Sequence, residues 1–179
     1  FMDFIEVIKS RRSIRKYCAG KSVSIEQIEE LIKAAAYAPS WKNSQTARYY
    51  CAVDTDAIAK IKNCLPEFNQ NNSENAALIV TTFVHNRSGF KPDGEPQNEC
   101  ENGWGYYDLG LANENLLLKA TEMGLGTLVM GIRDGEALKT VLDIPNEETV
   151  VSVIAVGYPN IEPQMPKRKE LTDIIKWIK

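Results

Sequence analysis

The chain has 179 residues, 44% hydrophobic and 25% charged, with 21 Lys and Arg against 24 Asp and Glu for a formal net charge of -3. This is the composition of a soluble globular protein long enough to bury a sizeable core. No apolar run has the length of a membrane span, and a pI near 5.3 argues against nonspecific nucleic-acid binding, which must neutralise many phosphates over one face.

The opening FMDFIEVIKSR places Phe1, Phe4 or Ile5, and Ile8 on one helical face. The next stretch, RRSIRKY, is the densest charge on the chain, and Lys9 to Lys21 holds six basic residues and no acidic one. A helix C-terminus accounts for Lys9 and Arg11 by dipole complementation, but not for Arg15 and Lys16. A patch of this size on an acidic chain has the scale of a ligand phosphate.

In Val23 to Ile28 the spacing predicts a helix start, with Ser24 as N-cap, Gln27 as capping-box partner and Val23 with Ile28 as a hydrophobic staple. Ile25, Ile28, Leu31, Ile32 and Ala35 form its expected buried stripe, and Pro39 its stop. APSWKNSQ then reads as a polar loop into a strand around 47–53. A short helix near 55–65, a polar stretch NQNNSEN and the apolar strand AALIVTTFV follow.

Residues 85–103 read as a long loop rich in Pro, Gly, Asn and Glu, of the kind that often serves as a lid. Tyr106 to Met123 is apolar nearly all round and is expected to be buried on most sides, centrally or between subunits. The strand GTLVMGI, a helix near 136–142, the strand TVVSVIAV and a basic turn PKRK before a short amphipathic tail complete the chain. About four strands interleaved with helices predict an α/β or α+β sandwich. With no repeat, low-complexity tract or linker, residues 1–179 read as a single domain.

Four cysteines, Cys18, Cys51, Cys64 and Cys100, form no CxxC pair, and with the lone His85 they supply no zinc set. Reduced thiols and the lack of a basic-then-apolar leader make the cytoplasm the expected location. Gly126 and Gly131 in GLGTLVMGIR have P-loop spacing, but Ile132-Arg133 stands where the phosphate- and Mg²⁺-binding pair is required. Neither that piece nor GWGYYDLG has the third glycine of a dinucleotide fingerprint. No GxSxG and no paired carboxylates stand out, so residue chemistry alone stops at an anion-binding domain.

Five pieces together resemble the FMN-dependent nitroreductase family, in order and over nearly the whole chain. They are RRSIRKY, APSWKNSQ, ENAALIV, GLGTLVMG, and VGYP with PKRK. The resemblance implies an α+β three-layer sandwich, its central, mostly antiparallel sheet flanked by helices. It also implies a homodimer with FMN at the interface. The implied activity is ping-pong: hydride from NAD(P)H, then reduction of a small aromatic oxidant, a nitro compound or quinone. FMN carries that chemistry, so no catalytic side chain and no metal is expected.

By the same resemblance, Arg11, Arg12, Ser13 and Arg15 match flavin-contacting positions, where guanidinium groups suit a phosphate monoester. Pro39, Ser40, Asn43 and Gln45 match a second contact loop, Met130 and Gly131 lie beside the ring, and Arg168, with Lys167 or Lys169 assisting, matches a further phosphate-facing base. Pro39 and Ser40 are also ordinary turn residues. Trp41-Lys42 and Thr46-Ala47 depart from the family's usual residues. Trp41 is expected either to border the substrate side of the flavin or to pack on the next strand. The alternatives that stay open are a flavin carrier or sensor without turnover, and the same fold performing reductive dehalogenation or enone reduction.

Overall fold

The computed structural model describes residues 3–178. The elements run α1 (Phe4–Ser10), α2 (Ile25–Ala36), β1 (Ala47–Ala52), α3 (Thr55–Lys62), α4 (Glu67–Asn72), β2 (Ala77–Val84), α5 (Gly103–Glu122), β3 (Gly126–Met130), α6 (Gly135–Val141), β4 (Glu148–Gly157) and α7 (Leu171–Ile174). The strands form one sheet in the order β1-β2-β4-β3, with every pair antiparallel.

The layering follows from the side-chain alternation of the two central strands. Leu78, Val80, Val153 and Ala155 point into one core with Ile61 of α3 and Leu138 of α6. Ala77, Ile79, Ile154 and Val156 point into the other with Leu31 of α2 and Leu116 of α5. Strands apolar on both faces require a helical layer on each side, and the result is the expected three-layer α+β sandwich. Each fully buried Leu, Ile or Val contributes roughly 1.5–3 kcal/mol of transfer free energy, so the two central strands carry much of the stability.

The second helix forms as its sequence specifies. Ser24 Oγ accepts from the Gln27 amide, Gln27 Oε1 accepts from the Ser24 amide, and Val23 and Ile28 are both buried. Ile25 is the exception in the expected stripe: in the first turn it points outward and is 60% exposed. The polar stretch NQNNSEN is not a loop. Most of it lies in α4, where Asn69 is buried and its amide donates to the Ile132 carbonyl, and Ser73 Oγ donates to the Asn69 carbonyl. Long-range partners for polar side chains overrode a turn-like composition.

Helix α5 begins three residues before the expected Tyr106, and it is less uniformly buried than its composition suggests. Leu109, Leu116 and Leu117 are buried, whereas Tyr106 and Tyr107 are half exposed or more. In α1 only Val7 is buried; Phe4, Ile5 and Ile8 are exposed, and Phe1 lies outside the described residues. The tail is exposed as well, with Trp177 81% accessible. Among the described residues no helix is long and apolar enough to cross a membrane.

Candidate active site

After α1 the chain crosses the sheet as an extended strap. The Ile14 amide donates to the Thr127 carbonyl at 2.8 Å, Ser13 bridges Thr127, and Tyr17 bridges Pro159. Ile14 and Tyr17 are buried, and the Tyr17 hydroxyl donates to the Ile14 carbonyl at 2.9 Å. Burial pushes the Tyr17 phenol well above its ordinary pKa, so it stays protonated and can hold that bond.

Two glycines make room for the strap. Gly126 of β3 and Gly157 of β4 face each other in register. A Cβ at Gly126 would lie 2.6 Å from Ile14 Cγ1, and one at Gly157 would lie 2.7 Å from Tyr17 Cδ1. The glycines of GLGTLVMG and VGYP therefore seat the buried residues of RRSIRKY, which is how three of the five sequence pieces come together. Alternation along the strap leaves Ser13 and Arg15 exposed, and Arg15 makes no hydrogen bond or ion pair with the described residues.

The other two arginines of the strap are partly committed. Arg12 donates through Nη1 to the carbonyls of Lys9 and Arg11 at the end of α1, a dipole-facing role the sequence suggested for Lys9 and Arg11. Among the described residues its Nε is buried without a partner. Arg11 Nε stands 3.9 Å from the Glu114 carboxylate. Met130 is buried at the end of β3, and Gly131 beyond it is exposed, with open space where a Cβ would sit. Arg168 lies in the irregular segment before α7 and is exposed.

The second candidate group sits elsewhere. Residues 39–46 lead into β1, the opposite edge of the sheet from β3, and they enter it at the Ala47–Phe83 end rather than the Gly126–Gly157 end. Three strand spacings and about seven residues of strand separate the two corners, roughly 25 Å. One chain does not bring Pro39, Ser40, Asn43 and Gln45 to its own Arg15.

This second corner is braced. Trp41, Lys42 and Asn43 form a single 3₁₀ turn, and Lys42, Asn43 and Gln45 have φ of 45°, 56° and 49°. Asn tolerates the left-handed region, but Lys and Gln enter it at a cost, so the surroundings must enforce the shape. Ser40 Oγ accepts from the Gln45 amide, and the Trp41 amide donates to Asp108 Oδ2 at 3.0 Å. The same carboxylate oxygen accepts from Ser88 Oγ at 2.6 Å, and Ser88 Oγ lies 2.7 Å from Ser44 Oγ. Asp108 and Ser88 are both buried.

Asp108 thus ties the 39–46 loop and the 85–103 loop to α5. Sequence reasoning missed it, although a lone carboxylate within the apolar stretch YYDLGLA was the available signal. The Trp41 ring packs on Trp104 of α5 with centroids 4.6 Å apart, and Trp104 meets Tyr107 edge-on at 5.6 Å. This ring contact is with helix α5. A cavity of about 220 Å³ opens beside the loop, walled by Pro39, Ser40, Gln45, Tyr49 and Asp108.

The described residues thus form an α+β sandwich with a cationic strap at one corner and a strained polar loop at the opposite corner. The nitroreductase family model matches residues 8–158, and the chain belongs to that family. It is 32% identical to an Archaeoglobus fulgidus protein provisionally named NADH dehydrogenase/NAD(P)H nitroreductase, over 89% of this chain and 87% of that one. It is 29% identical to the NADPH-flavin oxidoreductase of Vibrio harveyi, over 92% of this chain and 69% of the relative. A protein of Exiguobacterium sibiricum 255-15, provisionally a nitroreductase and solved in complex with FMN, has the same fold. It superposes with a TM-score of 0.82 at 22% identity, covering 99% of this chain and 98% of that one.

Proposed function

We propose that this protein is an FMN-dependent oxidoreductase that takes hydride from NAD(P)H and reduces a small aromatic oxidant, a nitro compound or quinone, by alternating half-reactions. The observation that carries this reading is the strap. Ile14 and Tyr17 are locked into the sheet, so Ser13 and Arg15 are presented outward from a rigid backbone, with the Arg15 guanidinium uncommitted. The open space at Gly131 and the partnerless buried Nε of Arg12 also fit a bound group rather than a closed surface. When bound, FMN supplies the two-electron redox chemistry. Arg15 and Arg11, with Arg168, hold its phosphate, Ser13 donates a neutral hydrogen bond, and Gly131 beside Met130 lets the backbone approach the ring.

Pro39, Ser40, Asn43 and Gln45 complete the site from a second copy of the chain, because the sheet order keeps them from their own strap. The exposed Phe4, Ile5 and Ile8 of α1 and the exposed Leu171, Ile174 and Trp177 of the tail supply apolar surface for that homodimer. Trp41 borders the substrate side of the pocket with the face its ring leaves free of Trp104. In this reading residues 1–179 work as one domain in the cytoplasm.

The test is the visible spectrum of the purified protein, followed by FMN titration. Arg15→Ala is expected to weaken binding by about 1.5–3 kcal/mol, the scale of a hydrogen bond to a charged group. A protein that takes up no flavin at micromolar FMN would sink the assignment, and a folded monomer in sedimentation at the same concentration would sink the shared site.

A further inference from the structure

A groove of about 660 Å³ runs between the start of β1 and the loop that follows β2, lined by Lys42, Arg48, Arg87 and Lys91 with no acidic residue among its walls. Four cations facing one space on a chain of net charge -3 is an arrangement that self-repulsion disfavours. Among the described residues none of the four is in an ion pair. The acid nearest in sequence, Asp93, is held in its own turn, where its Oδ1 accepts from the Glu95 amide.

The geometry points to an oxyanion site in this groove, one that receives the negatively charged substituent of a substrate, a phosphate or a carboxylate. The backbone that carries the cations is held in place. Ser88, next to Arg87, is buried and bound to Asp108. The Lys91 amide donates to the Glu95 carbonyl at 2.8 Å, and Phe90 bridges Pro96. Lys42 Nζ donates to Gln97 Oε1 at 3.2 Å, which joins the two loops across the groove. Arg48 Nη1 donates to the carbonyls of Gln45 and Ala47, which fixes the guanidinium at the mouth. Arg87 offers the planar fork that matches an oxyanion, and Lys91 adds a point charge.

The groove also leads to the site already described. Thr46 and Arg48 line both this groove and the cavity beside Pro39, Ser40 and Gln45. A ligand with its reactive part at the 39–46 loop has its charged end in the groove. The substrate role therefore rests on the proposed flavin chemistry, whereas the anion site itself does not. The shared chemistry, an oxyanion, could come from the phosphates of NAD(P)H or from the carboxylate of an aromatic oxidant.

The experiment compares the parent with Arg87→Ala/Lys91→Ala and with Arg87→Lys, beginning with flavin content. Inorganic pyrophosphate is titrated calorimetrically into FMN-saturated protein, or into the protein as purified if it takes up no flavin. Specificity constants are then measured for 4-nitrobenzoate against nitrobenzene, and for NADPH against NADH. The double variant is expected to bind pyrophosphate roughly fivefold or more weakly, the scale of two lost surface charges. It loses a similar factor toward 4-nitrobenzoate, toward NADPH, or toward both, while nitrobenzene is unaffected; Arg87→Lys retains most of the binding. Which pair responds identifies the source of the oxyanion, and high salt removes the parent's preference.

Pyrophosphate binding indifferent to the double substitution overturns the site. So does a nitrobenzene rate that falls in step with the charged substrates, or loss of FMN from the double variant, which would assign the groove to the cofactor's own phosphate. A protein that takes up no FMN yet binds pyrophosphate through Arg87 and Lys91 keeps the anion site and loses the flavin reading.

Discussion

Replacing Asp108 by alanine removes the acceptor shared by the Trp41 amide and the Ser88 hydroxyl, at 3.0 Å and 2.6 Å. The shared carboxylate and the Ser88 donor lie where water has little access, since Asp108 and Ser88 are 6% and 1% exposed. A hydrogen bond to a charged group is worth roughly 1.5–3 kcal/mol, and the stranded Ser88 hydroxyl can re-aim at Ser44 Oγ, so the net loss is about 2–4 kcal/mol. With a urea slope near 2 kcal/mol per M, the unfolding midpoint falls by about 1–2 M at fixed protein concentration. Asp108→Asn keeps an acceptor oxygen of the same shape and gives up the charge, so its midpoint falls by about half as much or less. The alanine variant also releases the strained turn at Lys42 and Gln45, and FMN affinity should drop with stability. A midpoint within about 0.2 M of the parent would refute the claim that this carboxylate holds the loop.

Gly126→Ala drives a Cβ to 2.6 Å from Ile14 and should cost about 1–3 kcal/mol by overpacking. Combined with Ile14→Ala it should cost less than the sum of the two, as thermal unfolding would show; strict additivity would mean the strap does not seat on Gly126. Burial raises the Tyr49 phenol from 10.0 to about 12, and among the described residues its buried hydroxyl has no partner. The unfolded chain gives up that proton near pH 10 while the folded chain keeps it to about 12, so stability is full below pH 10 and declines as pH rises through that window. Tyr49→Phe should flatten the decline in urea midpoints measured on either side of pH 10, and an unchanged profile would count against the buried phenol.

The sequence by itself determined what depends on neighbours along the chain. The capping box of Ser24 and Gln27, the alternation that makes β2 and β4 apolar on both faces, and the charge density of Arg11 to Lys16 are all local patterns, and the structure forms the first two as the sequence specifies. The family resemblance was legible for the same reason, as short motifs in order. What the sequence could not contain was which residue faces which across long stretches of chain. Asp108 meets Trp41 from 67 positions away, and Ser88 meets Ser44 from 44 away, so neither contact leaves a periodic trace. Nothing local marks Gly126 and Gly157 as partners; only register places them opposite each other beneath Ile14 and Tyr17. Sheet order was decided only by tertiary packing as well, and it separates the basic strap from the Pro39–Gln45 loop. Strand pairing depends on burying both faces of β2 and β4 at once, a condition that the whole chain satisfies and no single segment encodes.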